Sequence, residues 1–170
     1  MDGIDSPNVD RMLLATDFSR WTENAVRFAF GMAQCFGAEV FMVHAIEPIA
    51  GAAVDEEDEE GSFDDFFGDL TEKSRRGLEQ LVAEAEAMGV SARFHIEIGE
   101  RWRIIVEYAE KEDVDLIVLG RRTFKDQRDL SLGTTSQRVY FGTDRPVLTV
   151  PGQPDGPEAQ PTPHDAAEDS

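Results

Sequence analysis

The sequence predicts an α/β fold in which strands and helices alternate around a parallel sheet. Short aliphatic, β-branched and aromatic runs recur at Val9 to Ala15, Glu39 to Ala45, Ala92 to Ile98, Leu116 to Leu119 and Pro146 to Val150. Between them the apolar residues recur at helical spacing, and that alternation implies βαβ units. The run Leu116-Ile117-Val118-Leu119 has no polar member, as suits a strand buried on both faces of a parallel sheet.

The first strand, Val9 to Ala15, gives way to a turn at Asp17-Phe18-Ser19, with Ser19 placed to cap a helix. Trp21, Ala25, Phe28, Ala29, Met32 and Phe36 mark that helix, and Gly37 is its natural stop. Cys35, between Ala33 and Phe36 in effect, reads as a small packed apolar residue. The second strand is Glu39 to Ala45. Residues 47–65 include six consecutive acids, Asp55 to Glu60, too charged to pack, so a mobile acidic loop is expected at about 50–63. Those acids lack the alternating spacing and turn glycine of a calcium loop. A helix with Phe66, Phe67, Leu70, Leu78, Leu81, Val82, Ala85 and Met88 on its apolar side follows, ending at Gly89.

In the third strand Ala92, Phe94, Ile96 and Ile98 alternate with Arg93, His95 and Glu97; one wet face argues for a sheet edge. Ile104, Ile105, Tyr108 and Ala109 mark a third helix, and Leu116 to Leu119 form the fourth strand. Gly133-Thr134-Thr135-Ser136 reads as a helix start that Gln137 to Tyr140 continues. The fifth strand opens on Pro146, which is permissible at a strand start or an exposed edge.

At 170 residues the chain is read as one domain, Val9 to Pro151, with disordered polar ends at 1–8 and 152–170. One cysteine excludes an internal disulfide framework and fits a reducing compartment. No apolar run approaches the roughly 18 residues of a membrane span, and the acidic start lacks a signal-peptide pattern. A cytoplasmic protein with no membrane insertion is expected. The 35 acidic residues against 16 basic ones give a net charge of -19, which disfavours nucleic acid and anionic lipid as partners.

Metal and hydrolytic chemistry lack their motifs. His44, His95 and His164 lie in different segments, so no metal-ligand spacing exists. A Gly-x-Ser-x-Gly elbow, a P-loop and a Gly-x-Gly-x-x-Gly after the first strand are all absent. A receiver domain would need clustered acids at strand ends, where only Asp17 stands. Local charge points elsewhere: between Gly120 and Gly133 the chain carries Arg121, Arg122, Lys125 and Arg128 against Asp126 and Asp129. A helix N-terminus after such a loop is a candidate anion site, and the competing reading is a solvated loop tip. Asp17 likewise reads as a ligand contact or as a helix cap.

Taken in order, these residues resemble the universal stress protein family. The resemblance spans Ala15-Thr16-Asp17-Phe18-Ser19, Val43-His44-Ala45, Gly99, Asp115 to Gly120 and Arg145 to Val150. It implies a three-layer α/β/α, Rossmann-like fold with a five-stranded parallel sheet in the order 3-2-1-4-5. The family's ATP-binding branch carries Gly-x-x-Gly, nine residues, then Gly-Ser or Gly-Thr. Here Gly120 is followed by Arg121, Arg122 and Thr123, then nine residues to Gly133-Thr134, so Thr123 replaces the second glycine. The resemblance implies ATP as ligand, with or without Mg²⁺. Gly133, Thr134 and Thr135 would hold the phosphates, Thr16 and Asp17 would face the ribose, and the Ala45 backbone would meet the adenine. Gly120, Arg121 and Thr123 belong to the same loop. If positive φ is required at Thr123, a β-branched residue costs about 1–2 kcal/mol there.

The resemblance further implies a homodimer through the strand at Pro146–Val150, an otherwise exposed apolar edge. The functional expectation is a nucleotide-binding regulatory module with an unknown protein partner and at most slow ATP hydrolysis. The alternative is a dimeric interaction module that has lost the nucleotide. A phosphotransfer enzyme ranks last, since no nucleophile sits beside a base.

The charge balance generates a prediction about solvent. Only Lys73, Lys111 and Lys125 are lysines, and the carboxylates repel one another in dilute buffer but are screened at molar salt, where the Debye length is about 3 Å. The composition predicts a halophilic source. The thermal midpoint is expected to rise from low to molar KCl; a flat or falling profile contradicts this.

Overall fold

The computed structural model describes residues 8–48, 61–122 and 133–152. Most of the expected tails, the acidic run and the loop holding Thr123, Lys125 and Arg128 lie outside the described residues. Those residues form β1 (Arg11–Ala15), α1 (Arg20–Phe36), β2 (Glu39–Ile46), α2 (Gly61–Ala87) and β3 (Ala92–Ile98). They continue as α3 (Arg101–Lys111), β4 (Leu116–Arg121), α4 (Thr134–Gly142) and β5 (Val147–Pro151). The sheet has five strands in the order β3-β2-β1-β4-β5, and every pairing is parallel.

The strand period of two divides the core between the faces of the sheet. Met12, Leu14, Met42, Val118 and Val150 pack with Ala25, Ala29, Phe30 and Ala33 of α1 and Leu78 and Ala85 of α2. Leu13, Phe41, Val43, Ile117 and Leu119 point the other way, onto Ile104, Ile105, Tyr108 and Ala109 of α3 and Val139 of α4. Met12, Leu13 and Leu14 are all fully buried, each contributing about 1.5–3 kcal/mol. The middle strand is therefore the floor of both cores.

The edges are handled differently. β3 is indeed terminal, and its polar face is covered by its own side chains. His95 stacks on Tyr108 with ring centroids 4.7 Å apart, and Arg93 lies 4.6 Å from the Phe41 ring while forking onto Glu39 at 2.7 and 2.8 Å. At the other edge Pro146 stands just before β5, where its carbonyl accepts the Ile117 N–H at 2.9 Å. Its ring thus sits where no ladder donor is needed.

Three sequence expectations need correction. Cys35 is exposed, because the buried face of α1 follows Thr22, Ala25, Val26, Ala29, Phe30 and Ala33 and turns Cys35 outward. Phe28 and Phe36 are more than half exposed for the same reason. α2 begins at Gly61, within the stretch expected to be a loop to about residue 63. Gly37 terminates α1 as expected, in the left-handed conformation with φ 72°.

Candidate functional site

After β1 the chain moves to β2 on one side, and after β3 it crosses to β4 on the other. The carboxyl ends of β1 and β4 therefore bound the crevice where doubly wound sheets take ligands. Thr16 closes the floor of that crevice. Its N–H donates to the Val43 carbonyl at 3.1 Å, and His44 Nδ1 meets its carbonyl at 2.8 Å. A carbonyl only accepts, so Nδ1 carries the imidazole proton. The Thr16 hydroxyl accepts the Phe18 N–H at 3.1 Å and lies 3.1 Å from Thr22 Oγ1.

The next three residues form a tight polar turn. Asp17 Oδ1 accepts the Ser19 N–H at 2.9 Å and faces the Thr22 hydroxyl at 3.4 Å. This corrects the expected cap: Ser19 stands at the N-cap of α1 but makes no side-chain cap bond, and its Oγ is buried without a partner among the described residues. Asp17 supplies the turn instead, because an aspartate readily bonds the backbone two residues on. Phe18 adopts φ 60°, a left-handed conformation that costs an aromatic L-residue about 1–2 kcal/mol. Its ring lies 4.9 Å from the His44 ring and rests against α2 at Gly77.

Gly120 forms the facing wall with Arg121. A Cβ at Gly120 would lie 2.5 Å from the Trp21 carbonyl and 2.9 Å from Thr22 Cα, so only glycine lets β4 approach the first turn of α1. The Arg121 carbonyl accepts the Gly152 N–H at 2.9 Å, while the Arg121 side chain is exposed. At the start of α4, Gly133 is the N-cap; among the described residues it has no side-chain cap and nothing lies within 4 Å of a Cβ placed there. Gly133 and Thr134 are exposed and Thr135 is half-buried. Among the described residues nothing covers the first-turn N–H groups and the dipole end, an arrangement that fits an anion. α4 is tied back to α3 by Arg138 and Glu100 at 2.7 Å. Ala45, half-buried near the end of β2, lies beyond the residue level with Ala15.

The described site residues thus divide into a β1 wall of Thr16 and Asp17, the adjacent Ala45, a β4 wall of Gly120 and Arg121, and the helix start at Gly133, Thr134 and Thr135. Thr123 lies outside the described residues. Sequence reasoning did not single out Phe18 or Gly77 as participants, nor Thr22. The only signal for Gly77 was a glycine inside a strongly helical pattern. Among the described residues, no cluster of His, Cys, Asp or Glu is arranged to hold a metal, and no helix is long and apolar enough to cross a membrane.

A model of the universal stress protein family matches residues 8–151. The chain belongs to that family. Among solved structures it is similar to protein MJ0577 of Methanocaldococcus jannaschii, at 26% identity and a TM-score of 0.69 over 87% of this chain and 99% of that one. A universal stress protein in complex with cAMP shares the fold at 21% identity and a TM-score of 0.64, covering 86% of this chain and 99% of the other. So does the universal stress protein of Archaeoglobus fulgidus in complex with dAMP, at 22% identity and 0.57, covering 84% and 98%. Some structural relatives of this universal stress protein therefore bind nucleotides.

The close approach at Gly120 predicts opposite outcomes for two glycine substitutions. Gly120→Ala must push β4 from α1 and is expected to destabilise by about 1–3 kcal/mol. Gly31→Ala, in α1 with nothing within 4 Å of its Cβ, is expected to stabilise by about 0.5–1 kcal/mol. Denaturant unfolding of both variants checks this; equal effects contradict the packing argument.

Proposed function

We propose that this universal stress protein binds ATP in the crevice between β1 and β4 and acts as a nucleotide-dependent regulatory module without efficient catalysis. One observation carries the reading: the Thr16–Asp17 wall and the uncapped start of α4 belong to the same carboxyl edge of the sheet. The cAMP and dAMP complexes of two relatives support adenine nucleotides as the ligand class. The phosphates meet Gly133, Thr134 and Thr135 through N–H and hydroxyl groups, with Gly120, Arg121 and Thr123 lining the loop. Asp17 faces the ribose, with Thr16 behind it, and the Ala45 backbone meets the adenine. Mg²⁺, where present, neutralises phosphate charge and needs no protein ligand beyond these. Among the described residues no general base stands beside the start of α4, and hydrolysis is slow.

The protein acts in a halophilic cytoplasm as a homodimer through β5, passing its state to a regulatory protein partner. β5 pairs on one side only among the described strands, and Tyr140 and Phe141 at the end of α4 are exposed nearby in sequence. Such an edge is normally covered. A second reading, a dimer without nucleotide, draws its support from Thr123 in place of the motif glycine.

Native mass spectrometry from molar ammonium acetate, followed by ATP titration in molar KCl, separates these. A mass of two chains with retained ATP, or saturable binding by the wild type, is the expected result. Thr123→Gly is expected to tighten binding about ten- to thirtyfold. Binding only by Thr123→Gly favours the second reading; binding by neither overturns the nucleotide site, and a single-chain mass overturns the dimer.

A further inference from the structure

We infer that Phe18 is a positioning residue for Asp17, and that Gly77 of α2 is the seat that holds it in place; the consequence for ligand binding rests on the ATP reading above. Asp17, exposed just beyond the carboxyl end of β1, belongs to a turn whose centre is Phe18. The turn is fixed at both ends, by the Phe18 N–H on Thr16 Oγ1 at 3.1 Å and the Ser19 N–H on Asp17 Oδ1 at 2.9 Å. Its centre is strained, with Phe18 at φ 60°. Strained backbone of this kind persists only where the surroundings over-determine it.

The Phe18 ring supplies that constraint. On one side lies His44, with centroids 4.9 Å apart, and His44 is held by its own bond to the Thr16 carbonyl at 2.8 Å. On another side lies Gly77, where a Cβ would come within 2.8 Å of Phe18 Cε1, 3.1 Å of Cζ and 3.2 Å of Cδ1. Gly77 sits well inside α2, which spans Gly61–Ala87, where alanine is intrinsically the better residue. Helix propensity therefore favours a substitution that the Phe18 ring must shift to admit.

Adding one methyl group at Gly77 cannot push the ring into His44 without disturbing the Thr16 carbonyl. The ring shifts away from α2, which Phe18, 41% exposed, has room to do, and the left-handed turn loses its support. Asp17 then samples other positions while the helix itself gains. Substitution at α2 is thereby felt at a carboxylate on another element.

The test is a double-mutant cycle of Gly77→Ala and Phe18→Leu in the full chain, in molar KCl, since leucine lacks the two ring atoms nearest Gly77. Two readouts are taken: ATP affinity, and hydrogen exchange of the Phe18 and Ser19 amides without nucleotide. Gly77→Ala is expected to speed that exchange and weaken ATP binding about tenfold with no fall in thermal midpoint. In the Phe18→Leu background the same substitution is expected to change neither. Unchanged exchange in Gly77→Ala, or an equal effect in both backgrounds, overturns the inference. If the wild type binds no ATP, the nucleotide reading fails, and the exchange cycle still decides the role of Phe18.

Discussion

The carboxyl edge of the sheet depends on one buried side chain, Thr16, 6% exposed, whose N–H, carbonyl and hydroxyl are all engaged. Through them it joins β1 to β2, to the turn at Asp17-Phe18-Ser19 and to α1. A satisfied neutral hydrogen bond contributes only about 0.5–1.5 kcal/mol, but each buried group left without a partner costs about 1–3 kcal/mol. The network therefore acts less as a source of stability than as a penalty on every other arrangement of the turn. The strain at Phe18 is tolerated because those alternatives are closed.

The opposite wall is fixed by space rather than by polar bonds. Gly120 brings the end of β4 against the Trp21 carbonyl, so β1, α1 and β4 form one rigid unit below the crevice. The start of α4 differs: among the described residues it has no side-chain cap, which leaves its first N–H donors for an anion in the proposed reading. Arg138 with Glu100 steadies α4 from the exposed side, an ion pair of modest worth where water screens it. In the proposed reading, this rigid floor with donors above it is the arrangement expected of a site made in advance of its ligand. In a chain of net charge -19, backbone donors and a few arginines also supply what attraction a phosphate would find.

The strands were the legible part of the sequence. Leu116 to Leu119 reads as a buried strand because parallel sheets leave it no wet face, and the β3 alternation reads as an edge because one face stays polar. Cys35 was misjudged because its neighbours in sequence are not its neighbours on a helix; the Ala25, Ala29, Ala33 line sets the buried face. The Ser19 cap failed because the Thr22 N–H, a donor such a cap would take, bonds the Ser19 carbonyl instead, and spacing alone does not say which acceptor wins. Phe18 and Gly77 were invisible for a different reason. Their contact joins positions far apart in the chain, and neither a left-handed aromatic residue nor a helical glycine announces its partner. Thr123 stands where sequence pattern alone describes the loop.

The claim that Thr16 dictates the turn is tested most directly by comparing Thr16→Val with Thr16→Ser. Valine keeps the shape and removes the hydroxyl, whereas serine keeps the hydroxyl. Unfolding free energies and hydrogen exchange at the Phe18 amide, measured together in molar KCl, give the answer. The account predicts a loss of about 1–3 kcal/mol and an unprotected Phe18 amide in Thr16→Val, with the amide still protected in Thr16→Ser. A Thr16→Val protein as stable and as protected as the wild type would contradict it.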